Sequence, residues 1–292
     1  MTKKRPAKRD MTYKDLLQGY VDKNYELECY GSVTEPIRRK DTHYRLYKIV
    51  INPEHEKTLL TTTGFHGEEF NGPISLLHII DEAAAFANEM STRLIVYPCV
   101  NPSGFDLHQR YNPSDDVGDY GNNNFLSYQI ENGEWVGTLE TDQNFVKYKI
   151  IDSAAKEVRL LKRDVLKYQN PVPRAVLDIH QDDNVKKGQG NFYAYIFDQR
   201  PVYLKIMRKL AKITDTSKNI DAENIEGDRT VSYRIDKDGF IFLHDGSIND
   251  MFYRLKSEFS ICAETNTDLP LEKVSQINLI WIKELIKLIV KK

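Results

Sequence analysis

The chain has next to no net charge, few cysteines and no uninterrupted apolar run of bilayer length, and each absence excludes something. Lys and Arg number 41 against 43 Asp and Glu across 292 residues, so no global field draws the protein to nucleic acid or to an anionic membrane surface. Neither is expected as a partner. The three cysteines, Cys29, Cys99 and Cys262, are odd in number and scattered along the chain, which argues against a disulfide framework and suits a reducing compartment. A cytoplasmic location is expected on that ground. The longest apolar stretch, INLIWIKELIKLIV, is interrupted by Lys283, Glu284 and Lys287 and reads as a packed terminal helix rather than a membrane span. The chain starts with basic residues, MTKKRPAKRD, but continues as MTYKDLLQGY, without the apolar core and small-residue cleavage site of a secretory signal. Residues 1–12 are expected to form a basic flexible tail ahead of one domain spanning 13–292.

What is present is alternation. Short runs rich in β-branched and aromatic residues read as strands: YRLYKIVI (44–51), KTLLTTTGF (57–65), TRLIVYPCV (92–100), RAVLDIH (174–180), NFYAYIFD (191–198) and EFSICAE (258–264). Several are apolar enough to be buried on both faces. Between them, GPISLLHIIDEAAAFANEM carries Pro73 near its first turn and an apolar stripe at Leu76, Ile80, Ala83, Ala84 and Ala87, the pattern of a helix. Segments 151–168, 200–214 and 271–290 repeat that helical spacing. The alternation predicts a single α/β domain whose central mixed, largely parallel twisted sheet is flanked by helices on both faces. A chain of this length can bury one large core. The irregular stretch from Asn101 to about Asn144, rich in Asn, Asp, Gly and Pro, is too long for a plain connection and is expected to be a functional loop region.

The chemistry starts at TGFHGEEFNGP, Thr63 to Pro73, where His66 stands three residues before Glu69 at the junction of a strand and a helix. An imidazole nitrogen and a carboxylate oxygen so placed can face one cation, and the pair suits zinc. A third ligand has to come from elsewhere. His180, in VLDIHQDDN, ends another buried strand, and ligands of α/β sheets gather at the carboxyl ends of strands. Two histidines and a glutamate leave a fourth position open for water, as a catalytic zinc requires. On the residues alone, His43, His55, His78, His108 and His244 compete as ligands, and Glu68 competes with Glu69. Asp178 is equally able to be a strand-end surface carboxylate or a support for the site. Nothing adjacent to Cys262 in sequence activates its thiol as a nucleophile.

After His66-x-x-Glu69 come YPCVNPSGFDLHQRYN, GNNNF, DIHQ, DGSIND and SICAETNTD, in that order. The succession resembles the zinc metallocarboxypeptidase family, including its deacylase-like branch, from Tyr44 to Glu264. The resemblance implies a zinc carboxypeptidase-like catalytic domain over 13–292, with one Zn²⁺ held by His66, Glu69 and His180. It implies that Glu264 is the general base, taking a proton as the zinc-activated water attacks a carbonyl and delivering it to the leaving amine. Arg110 then stabilises the oxyanion. Asn122 and Asn123 fall at substrate-binding positions. Ile248, two residues after Gly246, falls in the specificity pocket, where it hints at an apolar or aromatic substrate side chain. Asp119 corresponds, one position out of step, to the aspartate that holds the far nitrogen of the first zinc-bound histidine.

The chain departs from the family pattern twice. Asn122-Asn123-Asn124-Phe125 stands where the family has N-R-N-[FW], so Asn123 replaces the arginine that grips a substrate's terminal carboxylate, and an amide cannot reproduce a bidentate guanidinium. The substrate-capping tyrosine falls near Ile241 or Phe242, with His244 and Tyr233 as nearby substitutes. The expected activity is hydrolysis of an amide bond at the carboxyl end of a peptide, by a monomer. The alternative, raised by Asn123, is an N-acyl amino acid deacylase or a cell-wall or side-chain amide hydrolase of the same fold. The expected partner is accordingly a peptide or an N-acyl amino acid. A zinc-binding protein without activity would show substitutions at Glu264 or Arg110, and both positions are filled.

Overall fold

A computed structural model describes residues 11–114, 125–139, 143–152, 155–182, 188–226 and 229–291. Helix α1 (Tyr13–Asp22) comes first, closed at its N-terminus by a reciprocal capping box between Thr12 and Asp15. The hairpin of β1 (Glu28–Ile37) and β2 (Lys40–Ile51) follows, then β3 (Thr58–Thr63), α2 (Asn71–Glu89), β4 (Arg93–Tyr97) and α3 (Pro102–Leu107). A small sheet of β5 (Leu126–Ile130), β6 (Trp135–Val136) and β7 (Phe145–Ile150) precedes α4 (Lys156–Val165). Next come β8 (Ala175–Asp182), β9 (Phe192–Ile196) and α5 (Arg200–Leu210). The chain ends with the pair β10 (Ile220–Glu226) and β11 (Arg229–Ile235), then β12 (Phe240–Ile241), α6 (Ile248–Arg254), β13 (Phe259–Asn266) and α7 (Leu271–Val290).

Eight strands form one mixed sheet in the order β1-β2-β4-β3-β8-β13-β9-β12. The middle four, β4, β3, β8 and β13, run parallel, and antiparallel pairings attach β2 on one side and β9 on the other. β3, β8 and β13 are buried along their whole length, as parallel strands between two helical layers must be. Alternation along each strand divides the core. Leu59, Leu94, Leu177 and Ile261 pack with α1, α2, α5 and α7, while Leu60, Ile95, Tyr97 and Val176 pack with α4, α6 and the small sheet. Helices therefore cover both faces, as the sequence pattern predicts.

On the second face the strands change character from one end to the other. β8 reads Val176, Asp178, His180, Asp182, and β13 reads Ser260, Cys262, Glu264, Asn266. Apolar packing gives way to titratable groups at the carboxyl ends, while the first face stays apolar through Ile179 and Ala263.

The stretch expected as one long loop from Asn101 is partly structured, because α3, β5 and β6 lie within it. Strands of two and five residues, paired only with each other and β7, are too short for periodicity to reveal. Residues 1–10 of the expected tail lie outside the described residues. The three cysteines are free thiols, and among the described residues no helix is long and apolar enough to cross a membrane.

Candidate active site

The chain leaves β3 through α2 to reach β4 on one side, while β8 pairs with β3 on the other. Such a reversal opens a crevice beyond the carboxyl ends of the two strands, and the turn carrying His66 lies there. Gly64 permits the turn by taking φ +71° against Cys99 and Pro73. Gly67 permits a close approach: a Cβ there would stand 1.9 Å from the Gly104 carbonyl carbon and 2.4 Å from the Gln109 carbonyl oxygen. Its N–H donates to the Arg110 carbonyl at 3.2 Å. Asn101 binds the same pieces together. Its Oδ1 accepts from the Gly104 N–H at 2.9 Å, capping α3, while Nδ2 donates to the carbonyls of Arg110 at 3.1 Å and Phe65 at 3.3 Å.

His66, Glu69 and His180 converge in that crevice, all three buried. His66 Nδ1 lies 2.6 Å from Glu69 Oε1, and His180 Nδ1 lies 2.9 Å from Glu69 Oε2. Their candidate ligand atoms all fall within 4.8 Å of one another. The surroundings support each ligand. His180 Nε2 stands 3.0 Å from Asp178 Oδ2, Asp178 Oδ1 accepts from the Thr62 hydroxyl at 2.7 Å, and the Gln181 N–H donates to Glu69 Oε2 at 3.1 Å. Phe65 stacks on the His180 ring at 5.9 Å. Two nitrogens and a carboxylate, buried and oriented by outer partners, fit a zinc ion. None of the competing histidines joins a cluster of three candidate donors among the described residues. Glu68 turns instead to Arg110, at 3.3 Å.

Charge is distributed unevenly over these groups. Burial and the neighbouring Arg110 push the His66 imidazole down to about 4, which keeps it neutral and fit to ligate. Burial opposes a charge on His180, yet the facing Asp178 and Glu69 hold its pKa well above the usual histidine value. Burial likewise opposes a charge on Glu69, and His66 and His180 hold it well below the usual carboxylate range.

Glu264 pairs in register with His180 on one side and Tyr193 on the other, so its side chain shares the face of the histidine. It is 9% exposed, and Oε2 has no hydrogen-bond partner among the described residues. Burial raises its carboxyl well above the usual range, against the pull of His180 and with the help of Glu69, Asp182 and Asp178. Arg110 reaches the same centre. Its Nη1 stands 3.4 Å from Glu69 Oε1, and its Nε donates to the Tyr111 hydroxyl at 2.7 Å. Tyr111 in turn sets its ring edge-on to His66 at 6.3 Å.

Ile248 begins α6 and is fully buried in the second core cluster. Asp119, Asn122 and Asn123 lie outside the described residues. Phe125, which closes the asparagine run, is buried edge-on against Phe65 at 6.1 Å. Ile241 is buried and Phe242 exposed; His244 holds Asp250 through Nδ1 at 2.8 Å, and Tyr233 is buried beside Tyr195. Sequence reasoning assigned no role to Asn101 or Tyr111. For Asp178 a signal existed, because a residue two before His180 on a strand must share its face.

Residues 55–236 match the model of the succinylglutamate desuccinylase/aspartoacylase catalytic domain family. No curated protein matches the chain. Among solved structures, a candidate metallopeptidase from Shewanella denitrificans is similar over 96% of this chain and 90% of its own, with a TM-score of 0.66 at 20% identity. Thrombin-activatable fibrinolysis inhibitor is similar over 96% of this chain and 73% of its own, with a TM-score of 0.61 at 14% identity. A metallo-carboxypeptidase from Pseudomonas aeruginosa is similar over 95% and 69%, with a TM-score of 0.58 at 11% identity. At these identities the likeness is one of fold.

Proposed function

The chain belongs to the succinylglutamate desuccinylase/aspartoacylase catalytic domain family, and from that premise we propose a metal-dependent hydrolase acting on the amide between an acyl group and an amino acid with a free carboxylate. The carboxyl-terminal bond of a peptide and the bond of an N-acyl amino acid share this unit. The carboxypeptidase and deacylase readings therefore differ only in the length of the acyl side. The description of the matched family, which names a desuccinylase and an aspartoacylase, supports the short acyl group.

One observation carries the proposal: Glu264 stands beside His180 on the sheet face where His66, Glu69 and His180 converge. These three residues would hold a zinc ion, which when bound polarises the scissile carbonyl and acidifies a water. Glu264 accepts the proton of the attacking water and returns it to the leaving nitrogen, a role that its place beside His180 and its Oε2, unpartnered among the described residues, suit. Arg110 steadies the negative charge that develops on the carbonyl oxygen. Asp178 fixes His180 through Nε2, so that Nδ1 turns to the centre. Asn122 and Asn123 are assigned to substrate binding and Asp119 to support of His66, whereas Ile248, fully buried in the second core cluster, has no surface to offer a substrate side chain. The three free thiols support a cytoplasmic setting.

The test incubates zinc-loaded protein with N-acyl amino acids, free-carboxylate peptides and amidated peptides, with products read by mass spectrometry. Amino acids should be released from the first two classes and not from amidated peptides. Glu264→Gln should keep its zinc while the rate falls about 10²–10⁴-fold. Equal cleavage of amidated peptides, or full turnover by zinc-stripped protein, would refute the proposal.

A further inference from the structure

Between Arg110 and Ser114 the chain is tied to its surroundings at both ends. At one end the Arg110 carbonyl accepts from the Gly67 N–H at 3.2 Å and from Asn101 Nδ2 at 3.1 Å. At the other stand two carboxylates that the proposed chemistry does not use, Glu35 of β1 and Glu157 of α4, with 0 and 1% of their surface exposed. Glu157 Oε2 accepts from Asn112 Nδ2 at 2.9 Å. Glu35 accepts from the Ser114 hydroxyl through Oε1 at 2.7 Å and from the Ser114 N–H through Oε2 at 3.0 Å. Asn112 Oδ1 also accepts from that N–H, at 3.1 Å, a turn around Pro113 that joins the two anchors into one clamp.

The clamped segment carries the pair on which the oxyanion depends. Arg110 Nη1 is drawn to the metal turn, 3.3 Å from Glu68 Oε1 and 3.4 Å from Glu69 Oε1. Its Nε donates instead to the Tyr111 hydroxyl at 2.7 Å. The hydroxyl therefore holds one edge of the guanidinium against the pull of two carboxylates. Close packing does not enclose Tyr111, because a cleft of about 220 Å³, counting its open mouth, lies among Tyr111, Asn112, Ala155, Glu157 and Val158. The position of the ring thus depends on the hydrogen bonds that fix the chain on either side of it.

We infer that Glu157 and Glu35 are positioning residues: acting through Asn112 and Ser114, they hold Tyr111 where its hydroxyl aims the Arg110 guanidinium at the developing oxyanion. Hydrogen bonds to a carboxylate are stronger than those between neutral groups, and burial fixes the two acceptors themselves. A misplacement of about 1 Å in a group that acts on the reacting atoms costs about 100-fold in rate. The clamp is therefore felt at the reaction, although neither carboxylate belongs to a cluster of candidate metal ligands among the described residues.

The inference rests on the proposed hydrolysis for giving Arg110 an oxyanion to meet, so the test has two arms. The first follows zinc-loaded full-chain protein on the N-acyl amino acid that it cleaves fastest. Arg110→Ala should lower kcat about 10²–10³-fold. Asn112→Ala, Tyr111→Phe and Glu157→Leu should each lower kcat about 10–100-fold with little change in KM, and Glu157→Gln, which keeps an acceptor, should recover most of the loss seen with leucine. Zinc content and Tm establish that each variant is folded, and Asn112→Ala carries the test where Glu157→Leu does not fold. Added to Arg110→Ala, Asn112→Ala should cost almost nothing more, because it acts through an arginine no longer present. Losses that multiply in the double variant, or unchanged rates in the single ones, would overturn the clamp and leave the hydrolase reading standing. The second arm needs no turnover. In full-chain protein carrying isotopically labelled arginine, the Arg110 Nε–H resonance, identified by its loss in Arg110→Lys, should exchange with solvent about 10-fold faster in Asn112→Ala and Tyr111→Phe than in the unaltered protein. Equal exchange would also overturn the clamp. Faster exchange in a protein that hydrolyses no N-acyl amino acid or peptide would keep the clamp and remove the hydrolase reading.

Discussion

His180 acts through both of its nitrogens: Nδ1 faces Glu69 and Nε2 faces Asp178, at 2.9 and 3.0 Å. Asp178 is fully buried and receives the Thr62 hydroxyl as well, so it holds the imidazole from behind. Asp178→Asn should weaken zinc binding about 10–100-fold, measured by competition against a chromophoric chelator; an unchanged affinity would show that the aspartate does not orient the ligand. Gly67 makes a different demand, since any Cβ collides with the backbone at Gly104 and Gln109. Gly67→Ala should drive the His66 turn away from the α3 loop and abolish tight zinc binding. Gly137→Ala, whose Cβ would meet nothing within 4 Å, should leave affinity where it was. Equal behaviour of the two variants in the same titration would discredit the close-approach argument. At this scale the sequence named His66, Glu69 and His180 as candidates because zinc chemistry admits few residue types, and Glu264 and Arg110 only through the order of the family motifs; the structure brings the five together around one centre. Asp178 stayed open between surface and site because its burial depends on layers contributed from elsewhere in the chain.

Among the elements, α4 is fastened to the sheet by one carboxylate. Asp164 Oδ2 accepts from Lys48 of β2 and from the Tyr97 hydroxyl of β4, both at 2.8 Å, while Oδ1 accepts from Lys167 at 2.7 Å. Burial opposes the charge, yet the hydrogen bonds from Lys167, Lys48 and Tyr97 hold the carboxyl below its usual value. A folded-state pKa below the unfolded one stabilises the protein fully above the unfolded value, about 3.9, and this contribution is lost as pH falls through the folded value. Asp164→Asn should therefore cost about 3–5 kcal/mol near pH 7, and the gap from the unaltered protein should shrink below about pH 4. Denaturant midpoints at the two pH values decide it, and a gap independent of pH would contradict the assignment. The central parallel strands were legible because continuous apolar runs need no partner to be recognised. β1 was not, since an edge strand carrying Gly31, Glu35 and Pro36 with an alternating exposed pattern has the polar character that edges require.

Across the whole molecule, the candidate metal site joins the turn after β3 to the end of β8, and so ties two regions of the chain through the centre of the sheet. A cation that binds only the folded state stabilises it by about 2.7 kcal/mol at one hundred times its Kd. Saturating zinc should raise the Tm by several degrees in scanning calorimetry, and Glu69→Gln should lose most of that rise. A Tm indifferent to zinc in the unaltered protein would argue against the site.

The sequence by itself determined the α/β class, the helix and strand alternation and a short set of candidate metal ligands, because periodicity is local and ligand chemistry is restricted to a few side chains. Only the tertiary structure decided which histidines meet, that Glu69 rather than Glu68 lies between them, and that Glu264, Tyr193, Tyr195 and Cys262 share one face. Those outcomes depend on the order β3-β8-β13-β9 and on its register, where a shift of one residue would turn every second side chain to the opposite layer. Pairing between strands distant along the chain is a property of the folded sheet as a whole, and no single segment carries it.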